Sequence, residues 1–150
     1  MSASATASGG SNTADRHKRI YFVDVTNRDG VQTSRLGLAK LEKTLINMLL
    51  DEMGIWQSEL GFPTTRLEVN YLQGNLELVE LGAISHTRLS GWVRAISKDV
   101  ELARRMVPDL KFINISISTS DQMINGKWNG KYTFDDVVAM MTDALDAALE

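Results

Sequence analysis

An arginine and an aspartate stand side by side in Ile20-Tyr-Phe-Val-Asp-Val-Thr-Asn-Arg28-Asp29-Gly30-Val-Gln32, directly behind a run of strand-forming residues. A guanidinium is a permanent cation with a planar fork of donors, and a carboxylate is a hard oxygen ligand. The pair suits reactions that build negative charge on oxygen, with the cation facing that charge and the carboxylate holding a divalent metal. A strand buried on both faces would deliver both groups to the mouth of a sheet or barrel, where Gly30 lets the chain turn sharply. Adjacent strand residues point in different directions, so two solvated loop-edge charges are the plainer reading of the dipeptide by itself.

The elements that must position these groups alternate along the chain. Ile20 to Val25 reads as a strand, and Leu38 to Met53 as a helix whose Leu38, Leu41, Leu45, Met48, Leu49 and Met53 share an apolar face. Gly54 ends that helix. A second strand, Ile55 to Leu60, precedes a helix from Leu67 to Leu81 that Gly82 closes. Leu89 to Val93 is a third strand, and a short helix from Lys98 to Met106 stops before Pro108. Phe112 to Ile117 is the fourth, followed by a long loop rich in Gly and Asn and a last helix from Phe134. Regular alternation predicts an α/β fold with a parallel sheet and covering helices. About four β/α units are the N-terminal half of a TIM-type (β/α)8 barrel; a self-sufficient flavodoxin-like sheet is the other architecture with this pattern. The last helix carries acids in its first turns and reaches Glu150 without Gly, Pro or a cationic cap. A half-barrel would expose two edge strands, so the expected partner is a complementary C-terminal half-barrel chain or a second copy in a homo-oligomer.

Composition narrows the function classes. A length of 150 residues supports one core, and a formal charge of −3 provides no basic field for nucleic acid. With no cysteine there is no disulfide, thiolate metal site or cysteine nucleophile, which fits a cytoplasmic protein. No apolar run approaches the roughly 18 residues of a membrane span. Residues 1–18 read as a disordered tail of small residues, and residues 19–150 as a partial β/α-barrel catalytic domain.

The run from Asp24 to Gln32 resembles the first-strand signature of the metal-dependent Claisen-type synthases and lyases: homocitrate, isopropylmalate and citramalate synthases and hydroxymethylglutaryl-CoA lyase. Gly54-Ile-Trp-Gln-Ser-Glu59-Leu-Gly61-Phe62-Pro63 resembles their second strand, which ends in a glutamate and a Gly-aromatic-Pro turn. Two signatures in order, one helix apart, are more specific than either alone. Weaker similarity continues through Gly91-Trp-Val-Arg94-Ala and Ser116-Ile-Ser-Thr119-Ser120-Asp121. Within the family the wording most resembles the homocitrate synthases associated with nitrogen fixation.

The resemblance implies an acyltransferase that condenses acetyl-CoA with a 2-oxo acid, 2-oxoglutarate above all. It implies Asp29 as a ligand of a divalent metal ion (Mg, Mn or Zn), Arg28 as the catalytic cation, and Glu59 as part of the charged cluster. Gln32 would orient a substrate carboxylate or support the arginine. Arg94, at the end of strand three, would clamp a carboxylate or form a partner-facing ion pair. Thr119 and Ser120 would bind a carboxylate through hydroxyls or serve as ordinary turn residues. Glu59 has capping or ion pairing as its alternative role. His86 precedes strand three, on the wrong side for the reaction face, and reads as a surface histidine. Trp56, Trp92 and Trp128 read as packing residues, and Lys127 and Lys131 as solubilising or anion-attracting loop residues. The family's late-strand His-x-His pair is absent from this sequence, so a complete metal site needs other strands. Asn27 stands where the family usually has leucine and Val31 where it has glutamate. A lyase of the same family, or a non-catalytic half-barrel that docks to a complementary chain, are the rival functions.

Overall fold

The computed structural model describes residues 19–150; the predicted tail lies outside the described residues. Four parallel strands, β1 (Val23–Asp24), β2 (Gln57–Gly61), β3 (Arg88–Arg94) and β4 (Phe112–Ser116), lie in the sheet in their sequence order. A flavodoxin-like sheet would place its first strand inside the order. Sequential order, each strand beside the last, is that of consecutive strands in a (β/α)8 barrel, and the fold is consistent with half of one.

The helices are α1 (Lys40–Glu52), α2 (Arg66–Glu80), α3 (Ser97–Met106), α4 (Asp121–Trp128) and α5 (Phe134–Leu149). Gly54 and Gly82 take positive φ angles of 71° and 74° just after α1 and α2, the left-handed conformation that ends a helix. Leu60 and Leu89 pack with Val69, Tyr71 and Leu72 of α2 and with Val107 and Leu110. Val93 packs with Val100 and Ala103 of α3 and Ala144 and Ala147 of α5, where small residues let the two helices approach. None of the described helices is long and apolar enough to cross a membrane.

Three expectations are corrected. The first strand has only two ladder residues, and Ile20, Tyr21, Phe22, Val23 and Val25 are exposed, because β1 is an edge with no neighbour on its outer side among the described residues. The predicted apolar face of α1 is also exposed at Leu41, Leu45, Leu49 and Met53. Instead α1 buries Lys43, Asn47, Leu50 and Asp51. Finally, the predicted loop after β4 contains α4, capped by the Ser120 hydroxyl accepting from the Met123 amide and ended by Asn129 at a φ of 52°.

Polar groups bury in α1 because they satisfy one another. Asn47 Nδ2 donates to Tyr71 Oη (3.0 Å) and Asn75 Oδ1 (2.9 Å), while its Oδ1 accepts from Asn27 Nδ2 (2.8 Å) and Ser58 Oγ (2.9 Å). Beside it, Lys43 lies over the Tyr71 ring and 3.6 Å from Glu68. Burial lowers the Lys43 pKa, and the nearby Glu68 carboxylate opposes that shift. Replacing Tyr71 by phenylalanine should cost about 1–2 kcal/mol, since one buried amide donor of Asn47 loses an acceptor. A lower urea midpoint with an unchanged m-value checks this.

Candidate active site

The end of β1 is shaped by its own backbone. The amides of Arg28, Asp29 and Gly30 converge on the carbonyl of Val25 at 3.2, 2.8 and 3.1 Å, and Asp24 accepts from the amide and hydroxyl of Thr26. The turn runs into a short 3-10 helix, Gly30–Gln32. Asn27 is fully buried against α1, donating to Lys43 O and Asn47 Oδ1 at 2.8 Å each. With Asn27 held on the helical side, the next residue is free to lie over the opposite face of the sheet.

Arg28 does so. Its guanidinium lies 3.9 Å from the centroid of the Trp92 ring, and its Nε is 3.4 Å from Glu59 Oε2. That charge contact lacks hydrogen-bond alignment, which leaves a buried Nε–H to be satisfied when the site tightens on a ligand. The side chains of Arg28 and Glu59 are 15% and 10% exposed, whereas Asp29 is 59% exposed and touches Arg28. The cation is thus held over an aromatic face and against a carboxylate, with a second carboxylate open to solvent.

Glu59 is itself held. Asn114 Nδ2 donates to Glu59 Oε1 at 2.5 Å, and Gln57 Nε2 donates to both Asn114 Oδ1 and Ser90 Oγ at 3.1 Å. These residues lie on the sheet face opposite Ser58, Leu60 and the two apolar clusters. The inner face is thus polar near the C-terminal strand ends, and the first strand is not buried on both faces as expected.

The remaining candidate residues are spread around this centre. Gln32 is exposed in the 3-10 turn, and Thr119 is exposed in the loop before α4. Arg94 has its fork on Asp99 of α3, at 2.6 and 3.0 Å, and that hydrogen bonding raises its pKa further. Ser120 caps α4. His86 is exposed beside Asp51 at the start of β3, away from the reaction face. A cleft of about 600 Å³ opens between the ends of β3 and β4 and helices α4 and α5, lined by Trp92, Arg94, Ser116, Ser118, Lys127 and Trp128 among others. Trp92 joins this cleft to Arg28, a role that its reading as a packing residue missed. Gln57, Ser90 and Asn114 were missed as well. Their signal is the polar alternation Gln57-x-Glu59, Arg88-x-Ser90 and Asn114-x-Ser116, which marks one face of three neighbouring strands.

Among the described residues no three His, Cys, Asp or Glu side chains cluster to hold a metal. Asp29 fits one position of a hard cation's oxygen shell: it is an exposed carboxylate at the C-terminal end of β1.

Three relatives carry the same segment. The chain is 62% identical over 130 residues to a citrate (Re)-synthase of Dehalococcoides mccartyi, covering 87% of this chain and 31% of the relative. It is 37% identical over 130 residues to 2-isopropylmalate synthase 2 of Caldanaerobacter subterraneus, covering 87% and 32%. A 2-isopropylmalate synthase of Photorhabdus laumondii is 31% identical over 136 residues, covering 88% and 25%. The chain therefore spans about a third or less of the length of these relatives. The HMGL-like family model matches residues 19–150, which include every strand and both carboxylates beside Arg28. With sequential parallel strands and the Arg28-Asp29 turn at the end of β1, the chain belongs to the HMGL-like family.

Proposed function

We propose that this chain is the N-terminal part of an acyltransferase that condenses the acetyl group of acetyl-CoA with a 2-oxo acid. The observation that carries the proposal is Arg28, held between Trp92 and Glu59 at the strand ends beside the exposed Asp29. A base supplied by the rest of the enzyme takes a proton from the acetyl methyl group, whose carbon bonds to the keto carbon of the acceptor. The oxygen there gains negative charge and takes up a proton, and water then cleaves the thioester to release the CoA thiol. Arg28 faces the developing oxyanion, Glu59 fixes Arg28, and the Trp92 ring keeps water from one side of the guanidinium. Asp29 would hold a divalent cation, which when bound supplies positive charge that polarises the keto group. Gln32, Arg94 and Thr119 are the residues of this chain available for the acceptor's carboxylates, Arg94 after exchanging Asp99 for substrate.

Citrate, the product named for the relative at 62% identity, is the sum of an acetyl group and oxaloacetate, so the favoured acceptor is that four-carbon 2-oxo diacid. The 2-oxoglutarate implied by the likeness to homocitrate synthases is the second acceptor. Exposed apolar residues on β1 and α1 at one flank, and Phe134, Val138, Leu145 and Leu149 of α5 at the other, support further barrel units packing on both sides. Those units, from the same longer chain or a complementary one, would supply the remaining metal ligands.

The test is thiol release by the enzyme containing this segment, supplied with acetyl-CoA and each acceptor in turn. Release with oxaloacetate, lost on chelation and restored by a divalent cation, is the expected result. No release with any 2-oxo acid would overturn the proposal.

A further inference from the structure

The hydrogen bonds around Glu59 have a direction, and one group fixes it. Ser90 lies fully buried on β3, and its hydroxyl donates to the carbonyl of Ser58 at 3.2 Å. Ser90 Oγ must then accept, so Gln57 presents its amide nitrogen, and the same nitrogen donates to Asn114 Oδ1. With its oxygen occupied, Asn114 presents its own amide nitrogen to Glu59 Oε1. Glu59 Oε2 meets another donor group, the guanidinium of Arg28. A protonated Glu59 donating to Asn114 would require both amides to turn over, which places the Gln57 carbonyl against Ser90 Oγ and costs the hydrogen bond from Ser90 Oγ to Ser58 O. The small Ser90 side chain also lets β2 and β4 meet across β3, since Glu59 is in register with Ser90 and Asn114 with Trp92.

We propose that Asn114 is a positioning residue: backed by Gln57 and Ser90, it holds Glu59 as a hydrogen-bond acceptor whose task is to aim Arg28, not to transfer protons. This rests on the proposed synthase reaction, and it assigns functions to three residues outside the family's charged cluster as the sequence presented it.

The discriminating experiment exchanges donor and acceptor in the full enzyme. Glu59→Gln alone turns the new carbonyl to the Asn114 amide nitrogen and so sets the new amide nitrogen, a donor, against Arg28. Adding Asn114→Asp makes residue 114 an acceptor, so the residue 59 amide nitrogen turns to it and the residue 59 carbonyl turns to Arg28. If Glu59 aims Arg28, the double variant should exceed Glu59→Gln in kcat by about tenfold. Equal kcat values for Glu59→Gln and the double variant would overturn the proposal.

Asn114→Asp alone supplies a second, pH-dependent readout. It sets two carboxylates together, which must share a proton or repel. Its kcat relative to the wild type should fall as pH rises, by about tenfold or more once both groups ionise. A ratio independent of pH would also overturn the proposal. An infrared carboxylic-acid band present in Asn114→Asp, but absent from the wild type and the double variant, tests the pairing without turnover. If the wild type releases no thiol, the synthase reading fails, while that band still decides the direction of the hydrogen bonds.

Discussion

Replacing Arg28 by lysine is expected to lower kcat by about 10²–10³-fold, the loss found when one pre-aimed donor to an oxyanion is removed. The substitution keeps the charge, so the effect isolates geometry. Arginine reaches Glu59 through Nε while its planar group lies over Trp92; an ammonium can satisfy one of these positions but presents no fork to a charged oxygen. The stem of a lysine can still cover the Trp92 ring, so the thermal midpoint should move by only a few degrees. Thiol release under saturating substrates, together with a melting curve, checks both halves of the expectation. A kcat within tenfold of wild type would remove Arg28 from its role. A lost fold would show that the cation over Trp92 is needed for packing as well.

The fold was legible where hydrophobic periodicity and turn residues act together. The glycines closing α1 and α2, Pro108 after α3, and the β-branched core of β4 set the element order, and sequential strands agree with the half-barrel expectation. The inward face of α1 was not legible. Helical periodicity points to Leu41, Leu45, Leu49 and Met53, but these are exposed, and three of the four buried residues, Lys43, Asn47 and Asp51, are polar. Periodicity finds an apolar stripe without saying what covers it, and a buried network of asparagines looks in sequence like a solvated face. Helix α4 was hidden for a related reason: Asn125 and Gly126 have poor helix propensity, and the Ser120 cap compensates.

At the site, the Arg28-Asp29 turn and Glu59 announced themselves through residue type, and the structure brings the three together. Trp92 and Asn114 did not, since neither is titratable and both sit inside strands. Their importance comes from register across the sheet, which pairs residues far apart in sequence. Arg94 shows the opposite case. Its position at a strand end matched a carboxylate clamp, but Asp99, five residues on, already occupies its fork.

The opposite end of the sheet holds the second large effect. Asp51, at the end of α1, accepts from the amides of Ser85 (3.1 and 3.0 Å), His86 (2.7 Å) and Thr87 (2.7 Å), tying α1 to the segment that starts β3. Burial alone would push its pKa up; the amides of Ser85, Thr87 and His86 reverse that and hold it at about 2, below the ordinary 3.8. The folded state therefore binds this proton less readily than the unfolded one, and stability from Asp51 is complete above about pH 4–5 and lost as pH falls towards about 2. At neutral pH the shift is worth about 2–3 kcal/mol. Asp51→Asn should cost about 2–3 kcal/mol there, because its amide nitrogen would face donors, and should lower the melting temperature by about 5–10 °C. Activity per folded molecule should be unchanged, since this face lies away from the strand ends that carry Arg28. Urea unfolding of both proteins between pH 7 and pH 3 separates this account from a simple packing defect. As Asp51 takes up its proton the wild type loses the same acceptor, so the difference between the two must shrink with acid; a difference constant with pH would place the loss elsewhere.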